Sequence, residues 1–451
     1  MAFVGAGGKT TAIFMAAREL LTIQEHTTLN KTVLVTTTTH LGSWQAELAD
    51  HFILIQTITD VAKLEENLPT GVVLLAGEKT YDRLSGCPAD ILEKIHIFAE
   101  NHCLSLLIEA DGSSSCPIKA PANYEPVIPD FSRNVIVMAG LMGLGKPLTK
   151  EWVHRPDIFA ELSGLHLGDL ISLESLVKVL SNKDGGLKNI PLTARRVMLL
   201  NQADTAALQS TGREISKQLI SDYHSIIIAS LGKDNKIVTP SKENISAQEG
   251  EIFAVNEQIA GIILAAGGSR RFGKPKQLLQ WNGQPLIRHV VIAAMKAGLS
   301  PVEVVVGASA QEIVITLSDL PVRIVNNPDW MTGLSSSIRA GVSDLPKEVG
   351  GVIFLNADQP QISPVLVRSL IDAHQGTLGP IIAPQINGQR GNPVLFDIRT
   401  FPDLLSLKED MGGRVLFSHY PVRWISWNDP NQLMDIDTPE DFQKFMNIYN
   451  N

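Results

Sequence analysis

Cysteine is scarce in this chain, and its few cysteines form no recognisable pattern. The 451 residues include only Cys87, Cys103 and Cys116, an odd number with no CxxC spacing. This argues against a disulfide scaffold and against a thiolate zinc site. We therefore expect a reducing, cytoplasmic environment.

Long apolar runs and positive net charge are also lacking. No uninterrupted apolar stretch of about eighteen residues occurs, so no membrane span is expected. The N-terminus leads straight into a glycine loop rather than a charged and then apolar leader, so no secretion signal is expected. The formal net charge of −9 argues against a broad basic surface for nucleic acid.

The chain does contain enough apolar surface for more than one globular core. Hydrophobic residues make up 44% and charged residues 19% of the 451 residues, which favours two domains. The most polar stretch in the middle, Ser241 to Glu257, separates two apolar runs. The expected division is a first domain over 1–240, a linker over 241–257 and a second domain over 258–451.

Short β-branched runs alternate with longer segments of helical spacing in both halves. Examples are Val72 to Ala76 and Leu104 to Ile108 in the first half, and Val302 to Val306 and Val352 to Leu355 in the second. Such alternation is typical of βαβ units. We predict an α/β fold in which each domain has a mainly parallel sheet with helices on both faces.

A glycine turn with nearby cations is the first candidate site of the second half. The expected strand Gly261 to Ala265 runs into Ala266-Gly267-Gly268-Ser269, at the strand end where open α/β sheets place their ligands. Cations follow directly, at Arg270, Arg271, Lys274 and Lys276. A triphosphate needs such cations to offset its charge, although a glycine turn alone is weak evidence.

Carboxylates occur where they could complete a metal site. Asp358 comes just after the apolar strand Val352 to Leu355, and Asp435 and Asp437 lie on one side of an extended stretch before a Pro-Glu-Asp helix start. Carboxylates at such places suit a hard cation that also meets phosphates. Each aspartate taken singly is equally typical of a turn or a helix cap.

The second half resembles the molybdenum cofactor cytidylyltransferases over essentially all of 259–445. The similarity rests on segments in a fixed order: LAAGGSRRFGKPKQLL (264–279), WMTGLSSSIRAG (330–341), FLNADQPQI (354–362), RGNPVLF (390–396) and DIDTPEDF (435–442). The resemblance implies a Rossmann-like nucleotidyltransferase domain. It would transfer CMP from CTP to Mo-molybdopterin, release pyrophosphate and require Mg²⁺.

The resemblance also assigns roles to individual residues. The implied catalytic residues are Arg271 and Lys276 on the phosphates and Asp358 and Asp437 on the metal. Arg390 and Asn392 would line the pterin side. The implied nucleotide-binding residues are Leu264, Ala265, Ala266, Gly267, Gly268, Ser269, Gly333 and Ser335.

The choice of base is a separate question. GTP-using relatives typically read Leu-Ala-Gly-Gly, whereas this chain has Leu264-Ala265-Ala266-Gly267, so the resemblance favours CTP over GTP. The triplet Pro275-Lys276-Gln277 also resembles isoprenoid-pathway cytidylyltransferases. A guanylyltransferase and an isoprenoid-pathway enzyme therefore stay open as alternatives.

The first half opens with a phosphate-loop pattern. Gly8-Lys9-Thr10 follows Gly5 and Gly7, but Phe3 stands where the strict pattern has its first glycine. Asp111 follows the strand Leu104 to Ile108 and could approach a nucleotide-bound Mg²⁺. Asn201 and Asp204, in Asn-Gln-Ala-Asp, resemble a guanine-reading motif with Gln in the Lys position.

The first half resembles the accessory family associated with selenium-dependent molybdenum hydroxylases across nearly all of 1–240. The segments that carry this resemblance are GAGGKTT, VTTTTH, EADGS, KAPANYEPVIP, GLMGLGKPL and HRPD. It implies a P-loop-like domain that binds ATP or GTP, and an apo molybdenum hydroxylase as the partner that receives the cofactor.

Two functions of other classes are weighed against the enzyme. A non-catalytic maturation chaperone would hold nucleotide and cofactor without turnover, but pure binding does not require Asp358 and Asp437 beside Lys276. A switch-type NTPase would hydrolyse ATP or GTP with no cofactor acceptor.

Overall fold

The chain folds into two compact units. The computed structural model describes residues 1–25, 31–232, 250–269 and 272–449. The units are Met1–Asn256 and Glu257–Asn451. Each contains a largely parallel sheet with helices, so the predicted α/β class is confirmed.

The first unit is built on a parallel sheet. Its central strands run in the order β12-β11-β9-β1-β7-β2-β5-β4, and the register of each pair is parallel. The strands are β1 Ala2–Gly5, β2 Thr32–Thr37, β3 His40–Gly42, β4 His51–Leu54, β5 Gly71–Ala76, β6 Arg83–Ser85, β7 Ser105–Glu109, β8 Ile118–Lys119, β9 Asn134–Gly140, β10 Val153–His154, β11 Arg195–Asn201 and β12 Ser225–Ser230.

Helices cover both faces of this sheet. Along β1, Phe3 packs into the apolar cluster that includes Ile13, whereas Val4 packs into the opposite cluster with Leu176 and Ile215. This alternation is the strand period of two. The α-helices of the unit are Lys9–Glu25, Ile58–Glu66, Ala89–Asn101, Pro156–Ser163, Leu173–Leu180 and Ala206–Leu219.

The expected linker differs from what the structure contains. Residues 241–249 lie outside the described residues, but Glu251–Leu264 forms one strand, β13. Its residues up to Asn256 belong to the first unit and its residues from Glu257 on to the second. Polarity alone did not reveal this strand, because residues of intermediate exposure alternate with buried Ala254 and Asn256.

The second unit has a mixed sheet. β18, β13, β16 and β17 are parallel neighbours, β21 pairs antiparallel with β18 and β19, and β22 pairs parallel with β19. The remaining strands are β14 Gln280–Trp281, β15 Gln284–Pro285, β16 Val302–Val306, β17 Arg323–Asn326, β18 Val349–Asn356, β19 Ile381–Ile386, β20 Gln389–Arg390, β21 Val394–Asp397 and β22 Val422–Trp427.

Each α-helix of the second unit buries at least one apolar side chain. They are Leu286–Ala297, Ala310–Thr316, Leu334–Asp344, Pro364–Thr377, Phe401–Leu405 and Pro439–Tyr449. Within the described ranges, no helix combines the length and apolar character needed to cross a membrane.

A small apolar cluster anchors the last helix, Pro439–Tyr449. Leu279, Leu286, Ile436 and Phe445 are buried together, and the Phe445 ring meets the edge of Trp281 at 4.9 Å between centroids. Because Ile436 is in this cluster, the packing also fixes the segment that carries the neighbouring aspartates.

We expect Phe445→Ala to destabilise the second unit by about 3 kcal/mol, because it empties a fully buried aromatic site. Ile448→Ala, on the same helix but 44% exposed, should cost well under about 1 kcal/mol. Urea unfolding followed by the fluorescence of the tryptophans would measure both. Equal effects of the two changes would contradict the packing role.

Candidate functional site

A cleft of about 740 Å³ opens at the carboxyl ends of β13 and β18. The residues that line it come from the glycine turn, the segment before the helix Leu334–Asp344 and the acidic segments. They are Leu264, Ala266, Gly267, Gly268, Ser269, Lys276, Gln277, Trp330, Met331, Thr332, Gly333, Leu334, Ser337, Asn356, Ala357, Asp358, Asp410, Asp435 and Asp437. The structure thus brings together most of the residues that the sequence singled out in this half.

The glycine turn is held by a glutamine that the sequence analysis did not assign. Gln277 is buried, and its Nε2 donates to the carbonyls of Ala265 (3.2 Å) and Gly267 (3.0 Å). The Ser269 hydroxyl donates to Gln277 Oε1 (3.3 Å) and accepts from the backbone N–H of Lys276 (3.1 Å). These bonds fix the turn while leaving it facing the cleft.

Lys276 joins the two carboxylates that were predicted to bind metal. Its Nζ lies 2.5 Å from Asp358 Oδ2 and 2.7 Å from Asp437 Oδ1. Burial alone would lower the pKa of Lys276, but the two carboxylates outweigh burial and raise it above its ordinary value. The ammonium is therefore charged at neutral pH and partly sequestered.

A third carboxylate, Asp435, completes the acidic wall. Its Oδ1 accepts from Gln359 Nε2 at 2.6 Å. Burial, and next the negative charge of Asp358, raise the pKa of Asp435. In the part of the chain that the structure describes, no three His, Cys, Asp or Glu residues are grouped to hold a metal by themselves. Mg²⁺ usually takes one or two carboxylates and completes its shell with substrate phosphates and water.

The donor set at this wall suits such a shared cation. Asp358 Oδ1 is buried and has no hydrogen-bond partner in the described structure, which is costly for a carboxylate oxygen unless a ligand satisfies it. Asp437 is half exposed at the mouth of the cleft. The two residues therefore fit the predicted metal site.

Two predicted nucleotide-binding residues near the start of the helix Leu334–Asp344, Gly333 and Ser335, differ in their position relative to the cleft. Gly333 lines the cleft with φ +115, and a Cβ there would lie 2.7 Å from the Glu409 carbonyl. Ser335 instead is buried, and its hydroxyl donates to that same carbonyl. Ser335 is therefore not part of the cleft lining, whereas Ser337, two residues further along the helix, lines it.

Asp410 is a cleft residue that the sequence analysis missed. Its Oδ1 accepts from the backbone N–H of Leu334 at 3.0 Å, so it caps the start of that helix. The sequence offers little indication of this role, because Lys408-Glu409-Asp410 is typical of an ordinary charged loop.

Three further predicted residues lie apart from the cleft lining. Ala265 is buried behind the turn. Arg390 is exposed on β20 and stacks over the Phe417 ring at 5.0 Å. Asn392 lies in the same segment, two residues further along the chain. Arg271 lies outside the described residues.

The glycine loop of the first unit packs tightly against neighbouring backbone. A Cβ at Gly5 would lie 2.2 Å from the Met138 carbonyl, and one at Gly7 would lie 2.5 Å from the Gly140 nitrogen. The Ala6 and Gly7 amides donate to the carbonyls of Met138 and Cys116. The glycines are therefore required by close packing, whatever they bind.

Lys9 begins the helix Lys9–Glu25, and its ammonium is directed at the protein. It lies 2.6 Å from the Gly5 carbonyl and 3.1 Å from Asp111 Oδ1, and both side chains are about 2% exposed. The Gly5 amide also donates to Asp111. The structure thus brings Lys9 and Asp111 together, as the sequence predicted.

A chain of alternating charges extends from this pair, and the sequence analysis did not find it. Lys119 bridges Asp111 (2.8 Å) and Glu125 (2.7 Å), and Arg155 forms a bidentate pair with Glu125. Burial opposes ionisation of Glu125, but Arg155 and Lys119 outweigh it and lower its pKa to about 2. These residues lie in KAPANYEP and HRPD, segments quoted above only for their resemblance.

Glu109 adds a buried acid next to the loop. Burial raises its pKa to about 7, and Lys9 opposes the shift. The Thr10 hydroxyl is a hydrogen-bond partner of Glu109 and accepts from Gln45 Nε2 at 2.5 Å. Thr10 is thus engaged on two sides within the protein.

The structure gives Asn201 a role other than reading a base. It is buried, its Nδ2 donates to the Gly7 carbonyl (2.7 Å), and its Oδ1 accepts from the Leu231 N–H (2.9 Å). Asn201 therefore ties the glycine loop to the chain just after β12. Asp204 stays exposed and accepts from the Ser230 hydroxyl at 2.5 Å.

Both halves match known families. Residues 261–424 match the family described as MobA-like NTP transferase domain, and residues 1–157 match the family described as YqeC protein. The chain is 33% identical over 210 residues to the uncharacterized protein YqeC of Escherichia coli, a match that covers 46% of this chain and 78% of that protein.

Two further relatives are enzymes by name. The nicotine blue oxidoreductase of Paenarthrobacter nicotinovorans is 29% identical over 198 residues, which is 42% of this chain and 96% of that protein. The molybdenum cofactor guanylyltransferase of Vibrio atlanticus is 29% identical over 194 residues, which is 42% of this chain and 95% of that protein.

We expect Gln277→Leu to weaken the binding of nucleoside triphosphate about tenfold. The leucine side chain has a similar volume but cannot form the two hydrogen bonds that hold the glycine turn. Gln280→Leu is the matched control, since that side chain is exposed and, among the described residues, its hydrogen bond is to the Leu278 carbonyl. Titration calorimetry would compare them. Unchanged affinity in Gln277→Leu would contradict this role.

Proposed function

Because the chain belongs to the YqeC family and is a nucleotidyltransferase with a MobA-like NTP transferase domain, we propose that its substrates are CTP and the molybdenum cofactor. The reaction transfers CMP to the terminal phosphate of Mo-molybdopterin and releases pyrophosphate. The product, molybdopterin cytosine dinucleotide, would serve the maturation of selenium-dependent molybdenum hydroxylases.

The contact of Lys276 with Asp358 and Asp437 on the wall of the cleft is the observation that carries the proposal. Transfer between phosphates needs no covalent intermediate if the acceptor phosphate is aligned and the developing charge is neutralised. An ammonium and two carboxylates at the end of a glycine turn supply these elements. The cleft volume of about 740 Å³ lies within the range of small-molecule sites.

Mg²⁺ is the proposed cofactor of this site. Asp358 and Asp437 would hold it together with phosphate oxygens of the nucleotide, and the buried, unpartnered Oδ1 of Asp358 supports this. When bound, the cation would neutralise the phosphates and favour departure of pyrophosphate. Lys276 and Arg271 would add positive charge from the protein.

The acceptor is proposed to approach from the side of Arg390 and Asn392. The guanidinium carbon of Arg390 lies 5.0 Å from the centre of the Phe417 ring, and burial, then the nearby charge of Arg414, lowers the pKa of Arg390. Two neighbouring guanidinium groups beside an aromatic ring suit a phosphate attached to a flat heterocycle.

GTP is the second candidate nucleotide, favoured by the guanylyltransferase relatives. CTP is preferred because Ala266 stands in the cleft wall where GTP-using relatives have glycine. Incubation of the full chain with Mo-molybdopterin and each nucleoside triphosphate in turn, followed by identification of the dinucleotide, tests the choice. Product from GTP alone would replace the cytidine assignment, and release of pyrophosphate with no dinucleotide would overturn the acceptor.

We expect Asp358→Ala to reduce CTP-dependent pyrophosphate release about 100-fold or more, because it removes a proposed ligand of the cation that stabilises the transferred charge. The fold should persist, since Asp358 is partly exposed at a strand end. Asp372→Ala, an exposed aspartate on the helix Pro364–Thr377, should leave the rate unchanged. Full turnover by Asp358→Ala would defeat the metal assignment.

The first unit is proposed to be a nucleotide-dependent accessory module that assists delivery of the cofactor to an apo hydroxylase. ATP or GTP would bind at Gly5, Gly7, Gly8, Lys9 and Thr10, with Asp111 close to the phosphates. The closeness of Lys9 and Asp111 supports this placement, because a phosphate-loop lysine and an acidic residue belong to one site. Such binding would require the ammonium of Lys9 to leave its carboxylate.

We expect Lys9→Ala in the full chain to lose binding of a non-hydrolysable ATP or GTP analogue, because the loop would lose the ammonium that is proposed to meet the phosphates. Lys94→Ala, an exposed lysine on the helix Ala89–Asn101, should bind as the unaltered chain does. Far-ultraviolet circular dichroism and thermal unfolding of the variant serve as the folding control. Unchanged analogue binding by Lys9→Ala would sink the phosphate-loop assignment.

A further inference from the structure

The ammonium of Lys276 lies between Asp358 and Asp437, where the proposed metal ion would bind. Its Nζ is within hydrogen-bond distance of both Asp358 and Asp437, at 2.5 and 2.7 Å. The side chains of Lys276 and Asp358 are only 16% and 18% exposed, whereas that of Asp437 is 49% exposed. The ammonium and the two carboxylates thus form a partly desolvated triad at the cleft wall.

The same groups have competing tasks in the proposed reaction. An ammonium has three N–H donors, and two of them are taken by the carboxylates. Lys276 cannot give its full charge to the phosphates while it neutralises Asp358 and Asp437. A divalent cation that approaches this site meets two carboxylates, and the single positive charge of Lys276 already offsets half of their combined negative charge.

We propose that Lys276 is a built-in placeholder for the divalent cation, which keeps Asp358 and Asp437 together and closed to metal until a nucleoside triphosphate arrives. The phosphates then draw the ammonium away, and both carboxylates become ligands of the cation that the nucleotide brings. The proposal rests on the nucleotidyltransferase assignment of this cleft, but not on the identity of the base or of the acceptor.

The surroundings of the triad favour this exchange over a permanent ion pair. Asp358 Oδ1 is buried without a hydrogen-bond partner in the described structure, so the pair with Lys276 leaves one carboxylate oxygen unsatisfied. The backbone N–H of Lys276 is tied to Ser269 of the glycine turn at 3.1 Å. The flexible side chain can therefore swing toward phosphates at that turn while its backbone stays in place.

Exchange of this kind couples the two ligands. Nucleotide raises the affinity for the cation because it removes the competing ammonium, and the cation must raise the affinity for nucleotide by the same factor. Without nucleotide the cation competes with a charge that the chain itself supplies.

Mn²⁺ alone tests the proposal, with its binding to the full chain followed by electron paramagnetic resonance in the absence of nucleotide. We expect Lys276→Met and Lys276→Gln to bind Mn²⁺ about tenfold more tightly than the unaltered chain, a change within the usual range of coupling between sites. Lys276→Arg, which keeps the charge, should bind as weakly as the unaltered chain. Addition of Asp358→Asn to Lys276→Met should abolish the gain.

Lys274→Met is the matched control, because Lys274 is exposed two residues away and its replacement removes the same charge. The proposal is overturned if neither neutral variant of Lys276 binds Mn²⁺ more tightly than the unaltered chain. It is also overturned if Lys274→Met gains as much affinity for Mn²⁺ as those variants do. CTP-dependent transfer by the unaltered chain is measured separately. A failed transfer assay with the expected Mn²⁺ result refutes the cytidylyltransferase assignment, and the reverse pattern refutes only the placeholder.

Discussion

One ammonium between two carboxylates is the interaction on which the C-terminal site depends. Lys276 follows the glycine turn, Asp358 lies two residues after the end of β18, and Asp437 precedes the last helix, so three distant segments meet at a single Nζ atom. The parallel strands β13 and β18 make this meeting possible, because their carboxyl ends lie at the same edge of the sheet. Packing of Phe445 and Ile436 then holds the third segment in place.

The first unit also pairs a lysine ammonium with a carboxylate, but there the pair belongs to a longer network of ion pairs. There the ammonium of Lys9 also meets a carboxylate, but Lys119, Glu125 and Arg155 continue the alternation of charges toward the surface. Such a chain satisfies its own charges, and an anion that enters has to compete with Asp111 for Lys9. The second unit instead places its ammonium and carboxylates on the wall of an open cleft, where a ligand can reach them.

The α/β class of both halves was predictable because buried parallel strands leave a strong local signal. Runs such as Gly71–Ala76 are apolar at nearly every position, and the turns that follow carry glycine or acidic residues. The strand Glu251–Leu264 was not recognised over its first residues, since a half-exposed strand can have a polar sequence. The sequence also did not predict the antiparallel pairing of β21 with β18, because hydrophobic alternation does not encode the direction of a strand within its sheet.

The sequence by itself determined the two α/β halves, the glycine turns and the aspartates at strand ends, since each of these depends on neighbours along the chain. Only the tertiary structure decided which polar groups meet. It turned Asn201 and Ser335 inward as braces, brought Gln277 under the glycine turn and placed Lys276 between Asp358 and Asp437. Those outcomes depend on distances between segments far apart in the chain, which no local pattern specifies.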